Sequence, residues 1–314
     1  MVAFASIAIA DWQHDEQAIM GTSVSAEVWH QDDEIAVAAV CAVMAEMRRI
    51  DRLMSSYDAA SELSRINRDA AARPIAVSGE LISLIERALA FSQLTGGAFD
   101  VTYASAGYLY DYRAKVRPGE AALESALAGI DYRLVRVHAA ELAISFDRDG
   151  VRIDLGGIAK GHAVDRALHI LRDRGIAHAM VSVGGDTGLL GDRRGRPWVV
   201  GVRDPRDKDR LVAKLALANE SISTSGDYER YFEEDGVRYH HILNPGTGDS
   251  AREVRSVTVL GPDVTTTDAL STSVFVMGVA LGLELIESLP AIEAVIVDKD
   301  GKLHYSSGLR PPRP

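Results

Sequence analysis

The sequence predicts a mixed α/β (α+β) fold built on a sizeable mixed or antiparallel sheet. Stretches with helical spacing of apolar residues alternate with short β-branched runs along the whole chain. The composition is that of an ordinary globular protein, 47% hydrophobic and 25% charged over 314 residues. A core of useful size therefore needs no metals or disulfides. No internal repeat and no long linker divides the chain. The expectation is one unit over residues 1–314, with interleaved subdomains and internal boundaries left open.

The elements follow in order. Residues 24–29 read as a strand after Met20-Gly21-Thr22, and residues 35–54 as a long amphipathic helix. Residues 55–67 are polar and turn-rich, offering Tyr57, Asp58, Ser61 and Asn67 as exposed candidates. Leu81, Ile82, Ile85, Ala88 and Leu89 give a helix over residues 79–95, which Gly96-Gly97 ends. Residues 118–129 hold a short helix, and strands follow near 132–137 and 142–146. Val151, Ile153 and Leu155 alternate with Arg152 and Asp154, the period of a strand, and a helix follows from about 158 to 174. Further strands are expected at 179–183, 198–203, 211–218, 256–260, 294–298 and 302–306. Helix is expected at 268–277 and 282–289, and a frayed tail at 311–314.

Charge and address narrow the function. The chain carries 34 basic and 45 acidic residues, a net charge of -11. That disfavours broad binding of nucleic acid and leaves room for a local positive pocket. Cys41, the single cysteine, falls in an apolar run and reads as a small buried hydrophobe. Residues 1–10 are apolar but lack a basic stretch and are short for a signal peptide. No uninterrupted apolar stretch reaches the length of a membrane span. The expectation is a soluble chain with no transmembrane segment, cytoplasmic as the sequence stands, or periplasmic if a leader has been removed.

Four segments could carry chemistry. At residues 154–161 a carboxylate (Asp154), the glycine pair 156–157 and Lys160 meet at the entry to a helix. Bare backbone, free helix amides and an ammonium suit a phosphate-bearing ligand, although the P-loop spacing is absent and the glycine pair alone reads by default as a tight strand-to-helix connection. Asp268, Ser271 and Thr272 lie at i, i+3 and i+4, one face of a helix. Their hard oxygens suit Mg²⁺; equally, Thr267 or Asp268 could simply cap the helix. His240 and His241 point opposite ways if extended, so one can face a pocket. The hydroxyls of residues 221–231 could hold phosphate or ribose, or form a polar hairpin.

Taken in order, these segments resemble the ApbE family, the FAD:protein FMN transferases or flavin transferases. The resemblance runs through Met20-Gly21-Thr22, SELSRIN (61–67), GAFDVT (97–102), DLGGIAKGHAVD (154–165) and VGGD (183–186). It continues through TSGDYER (224–230), HILNPGTG (241–248) and TDALST (267–272), and spans about residues 19–308. It implies an ApbE-like fold with two interleaved sheet-containing lobes and a ligand cleft between them. It also implies Mg²⁺-dependent transfer of the FMN half of FAD to a threonine hydroxyl of an acceptor flavoprotein, with release of AMP.

By that resemblance the metal ligands are Asp268, Thr272 and the backbone carbonyl at Gly157. Met20, Tyr57, Tyr103, Ala104, Ser105, Ala106, Asp154, Lys160 and Ile242 fall on FAD-contacting positions. His241 falls on the histidine proposed to activate the acceptor hydroxyl. The chain departs from the family after Asp100, where residues 102–110 replace a Gly-Pro-Leu stretch and a Trp-Gly pair. Tyr103, Tyr108 or Tyr110 is left to supply the aromatic contact. Two alternatives stay open: an FAD pyrophosphatase that delivers FMN and AMP to water, and a flavin-binding protein without turnover.

Overall fold

A computed structural model of the chain describes residues 11–309. The apolar N-terminal stretch and the expected C-terminal tail lie outside the described residues. The strands are β1 (Gln13–Ile19), β2 (Thr22–Trp29), β3 (Ile75–Ala76), β4 (Val135–His138), β5 (Ala143–Phe146), β6 (His178–Val183), β7 (Asp186–Leu190) and β8 (Trp198–Arg203). They continue with β9 (Leu211–Leu217), β10 (Ser221–Gly226), β11 (Tyr231–Glu234), β12 (Val237–His240), β13 (Val254–Gly261), β14 (Glu293–Asp298) and β15 (Leu303–Tyr305). The helices are α1 (Asp33–Met54), α2 (Glu62–Asp69), α3 (Gly79–Leu94), α4 (Ala104–Gly107), α5 (Glu120–Leu127), α6 (Ala159–Asp173) and α7 (Val264–Ser288).

One eight-stranded sheet, in the order β1-β2-β6-β7-β10-β13-β14-β15, takes strands from both ends of the chain. Every pairing in it is antiparallel. Helices α1, α6 and α7 pack side by side over one face, α1 on β1 and β2, α6 on β6 and β7, α7 on β10 and β13. Val24, Ala26 and Val28 of β2 are fully buried while Ser25, Glu27 and Trp29 are half-buried, the alternation a half-covered strand requires. On the other face the β8–β9 ribbon seats Trp198 and Leu217 against Leu189, Ile222 and Leu260. The chain is thus a mixed α/β protein, with its helices layered on an antiparallel sheet.

Several expectations are corrected. Residues 151–155 keep the predicted alternation, with Val151, Ile153 and Leu155 buried, but they join no sheet. Their backbone is satisfied by side chains instead. The Ile153 N–H donates to Asn67 Oδ1 and the Asn67 amide donates back to the Ile153 carbonyl, both at 2.8 Å. Burial on one side sets the period; the ladder depends on distant partners the local pattern does not name. Residues 62–69, read as turn, form α2, because Ser61 caps it through the Ser64 N–H at 2.9 Å. Ser61 is consequently buried rather than exposed.

Cys41 is exposed, not buried. It shares the outer stripe of α1 with Val37, four residues earlier, while Val40, Val43, Met44 and Met47 face the sheet. Helix α7 carries the two helical segments expected over 268–277 and 282–289; it starts earlier, at Val264, and kinks between them at Gly278, whose φ of 78° is non-helical. By length and composition α7 could cross a membrane. Half of its apolar window is buried in the fold, where it covers the sheet.

Candidate active site

The site grows from the start of α7. Asp263 caps that helix by accepting the Thr266 N–H at 2.9 Å, and Asp165 of α6 accepts the Val264 and Thr265 amides, each at 2.9 Å. Neither Thr267 nor Asp268 is therefore the cap. Asp268 lies beyond the first turn and is 1% exposed. Its Oδ2 accepts the Gly161 N–H at 2.9 Å, and its Oδ1 lies 3.4 Å from the Lys160 ammonium. Gly161 makes this approach possible: a Cβ there would sit 2.4 Å from the Val264 carbonyl oxygen.

Lys160 also pairs with Asp186, which is 1% exposed and opens β7 just after the Gly184-Gly185 turn. Burial works against the lysine charge, but Asp186 and Asp268 outweigh it and hold Lys160 above its ordinary value. Burial and the Asp186 charge together push the Asp268 carboxyl up, against the pull of Lys160 and the Gly161 amide. Asp186 Oδ1 is buried and has no hydrogen-bond partner. Asp186 stood in a motif the sequence reading noted, but nothing in that local pattern tied it to Lys160, 26 residues earlier.

Thr272, one turn after Asp268, meets Gly157. A Cβ on Gly157 would come within 3.2 Å of both Thr272 Oγ1 and the Phe99 ring. Three sequence-expected residues of the metal set thus converge: Asp268 on the Lys160–Gly161 turn of α6, and Thr272 on Gly157 just before it. Ser271 is spent differently, donating to the Asp268 carbonyl at 2.9 Å. The hydroxyls of β10 fix the helix. Ser223 bonds Thr267 and Ser225 bonds Ser271, each at 2.8 Å, while Ser225 lies 3.2 Å from Thr272 Oγ1. Alternate residues of a strand thus match successive turns of a helix. They serve as rivets for α7, a role the hydroxyl run 221–231, read for phosphate, ribose or a polar hairpin, does not announce.

The two histidines divide as their spacing suggested. His240 is buried, with Nε2 donating to the Ala251 carbonyl at 2.7 Å and Nδ1 accepting the Ile242 N–H at 3.3 Å. It is structural. His241 is half-buried, and its Nδ1 has no partner. Burial first, then the His240, Arg230 and Lys160 charges, push its imidazole down to about 3. The ring is therefore neutral at pH 7 and lies within electrostatic reach of Lys160.

On the other side of the Gly156 turn, Asp154 Oδ1 accepts the Gly156 N–H at 2.7 Å and the Tyr103 hydroxyl at 3.0 Å. Of the three tyrosines considered, Tyr103 is the one joined to the motif. Tyr110 is buried and donates to the Gly248 carbonyl, and Tyr108 lies under Arg152 at 4.3 Å. Tyr57 is 90% exposed, near enough to Tyr103 for its phenol to raise that group further. Ala104, Ser105 and Ala106 are buried in α4. The Ser105 hydroxyl is committed to the Gly129 carbonyl and the Arg152 N–H, so this helix braces the 151–155 segment from below. Ile242 packs in the C-terminal core. Met20 forms the β1–β2 hairpin tip with Gly21, at φ values of 55° and 69°. Two cavities on the described surface lie elsewhere, one lined by Arg206, Arg255 and Lys299 and one beside Arg49 and Arg65.

The sequence model of the ApbE family matches residues 20–296. The chain is 33% identical over 313 residues to an FAD:protein FMN transferase of Treponema pallidum, covering 93% of this chain and 86% of that protein. It is 34% identical to one of Vibrio cholerae, over 84% and 81% of the two chains. The crystal structure of the ApbE protein of Thermotoga maritima superposes with a TM-score of 0.87 at 37% identity, over 95% of this chain and 98% of that one. The flavin transferase ApbE of Vibrio cholerae gives 0.84 at 31%, with the same shares covered. With the ordered motifs gathered around Lys160 and Asp268, and with the match running nearly end to end, this chain belongs to the ApbE family.

Proposed function

We propose that this chain transfers the FMN moiety of FAD to a threonine hydroxyl of an acceptor flavoprotein, in a Mg²⁺-dependent reaction that releases AMP. That it is an enzyme of the flavin-transferring kind rests on its relatives, named FAD:protein FMN transferases. The finer statement rests on one observation: a buried carboxylate and a hydroxyl one turn apart, Asp268 and Thr272, both set against the Gly157–Gly161 turn.

The donor set fits a hard divalent ion. Asp268, Thr272 and the Gly157 carbonyl would hold Mg²⁺, with the orphaned Asp186 oxygen close by. Such an ion neutralises pyrophosphate charge and makes phosphorus a better electrophile. Lys160 adds a full positive charge at the same turn, and the amides opening α6 face the phosphates. Tyr103 and Asp154 orient the nucleotide from the far side of Gly156. His241 takes the threonine proton at its free Nδ1, while bound phosphate charge raises that nitrogen's proton affinity. The threonine oxygen forms the new bond to the FMN phosphorus, the pyrophosphate P–O bond breaks, and the AMP phosphate leaves with the bridging oxygen.

Incubation with FAD, Mg²⁺ and a flavoprotein acceptor should give a fluorescent acceptor band and a mass gain of one FMN. Rapid FMN release at equal rates with and without acceptor would replace this reading with a pyrophosphatase. FAD binding with no turnover, across Mg²⁺ and Mn²⁺ and several acceptors, would leave a flavin-binding protein.

A further inference from the structure

The second cluster of charge on this molecule is cationic, and no step above uses it. A cavity of about 180 Å³ opens where β10 ends and β13 begins. Its walls bring together Arg206, Arg238, Arg252, Arg255 and Lys299, with Asp227 as the single acidic lining residue. Five cations from four separate stretches of chain meet here on a protein whose net charge is -11. Self-repulsion makes such a gathering costly unless something offsets it.

Four of the five are offset within the protein. Arg206 grips Asp227 through two bonds of 2.6 and 2.5 Å. Arg238 pairs with Glu233, Arg252 with Asp249 and Lys299 with Asp300, at 2.9, 2.9 and 3.0 Å. The Arg255 side chain has no hydrogen bond or ion pair among the described residues, although the residue is half-buried. Its guanidinium lies over the β14–β15 turn, where a Cβ on Gly301 would meet Nη1 at 3.2 Å. The positive φ of Gly301, 86°, keeps that position free of a side chain and so leaves the guanidinium its place. A half-buried guanidinium fork with no protein anion keeps its donors open to a partner from solvent, and carboxylate and phosphate oxygens match its geometry.

We propose that this cavity is a binding site for a small oxyanion, a phosphate or a carboxylate, held chiefly by Arg255 with Lys299 and Arg252 at the rim. The space suits one such group with its water and is too small for a dinucleotide such as FAD. His240 forms part of the wall, and its neighbour His241 lies within electrostatic reach of Lys160. The anion would therefore sit on the opposite side of the His240-His241 backbone from Lys160.

The test uses the full chain freed of divalent ions with EDTA, titrated with inorganic phosphate by calorimetry at fixed ionic strength. One phosphate should bind per chain. Arg255→Gln should weaken it at least tenfold, and Asp268→Asn, in the candidate active site, should leave it unchanged. Absence of binding, or binding undiminished in both Arg255→Gln and Lys299→Gln, overturns the proposal. The Arg255 side chain makes no bond that holds the fold, so its variant should melt with the wild type. The source of the anion is read separately, in the transfer assay. If phosphate raises the KM for the acceptor protein in wild type but not in Arg255→Gln, the site takes a carboxylate of the acceptor. If KM is unmoved while calorimetry shows binding, it takes a free anion. The calorimetric arm does not depend on the transferase reading.

Discussion

Two pairs of carboxylates, Asp100 with the half-buried Asp165 and the buried Asp186 with Asp268, are treated by the fold in opposite ways. Asp100 takes the Thr102 N–H and hydroxyl and the Tyr132 N–H, at 2.8, 2.6 and 2.9 Å. Asp165 takes the Val264 and Thr265 amides and the Thr265 hydroxyl. Neither meets a cation in these bonds. Asp186 and Asp268 instead share one lysine, and Asp186 keeps a buried oxygen with no partner. Backbone and hydroxyl donors consume a carboxylate's accepting capacity and fix loops and helix ends. A shared lysine compensates charge while leaving lone pairs unspent. Full or partial burial is thus common to both pairs; what separates Asp186 and Asp268 is accepting capacity left unspent beside a shared lysine.

The largest test of this contrast is Asp268→Asn. The amide keeps an acceptor for the Gly161 N–H and loses the charge. Transfer should fall at least a thousandfold, about 4 kcal/mol of transition-state stabilisation, as read by FMN fluorescence on the acceptor. The melting temperature should move little, because Lys160 retains Asp186. A fall in stability that matches the loss of activity would make Asp268 a structural acid like the other two.

Asp165→Ala should do the reverse. It strips acceptors from two amides and a hydroxyl at the start of α7, costing about 2 kcal/mol, measured by urea unfolding. Activity per folded molecule should stay within about twofold, on the order of 0.4 kcal/mol. A much larger loss of activity at unchanged stability would move Asp165 into the chemistry.

What the sequence made legible follows the same division. Periodicity gave the strands around 24–29, 179–183 and 198–203, and the long helices, because one-sided burial writes itself into local spacing. It failed at residues 151–155, whose alternation is real but whose partners are Asn67, Val101 and Ser105, far away in the chain. β1 was missed because it is an edge strand of polar residues, Gln13, His14, Asp15, Glu16 and Gln17, with no apolar run to announce it. At the site, Asp268, Thr272 and Lys160 were readable as motifs. The Lys160–Asp186 pair and the Ser225 contact to Thr272 are made by packing α6 and α7 across β7 and β10, which no local window contains.

The smallest effect, and the finest test of the comparison, is the pH dependence of Asp100. Burial raises its carboxyl above the ordinary 3.8 and outweighs the three donors that pull it down. A raised folded-state value means the folded chain holds the proton longer than the unfolded one. Its contribution is then fully present below the unfolded value and is lost as pH rises through the folded one, at no more than about 1.4 kcal/mol per pH unit. Asn at this position cannot titrate, so other groups cancel in the difference. The unfolding free energy of wild type minus that of Asp100→Asn, followed by urea denaturation upward from pH 3.5, should therefore decline with pH. A difference that grows with pH would mean the Thr102 and Tyr132 donors outweigh burial. Asp100 would then be a stabilised anion, and the contrast with Asp268 would rest on accepting capacity alone, without any shared effect of desolvation.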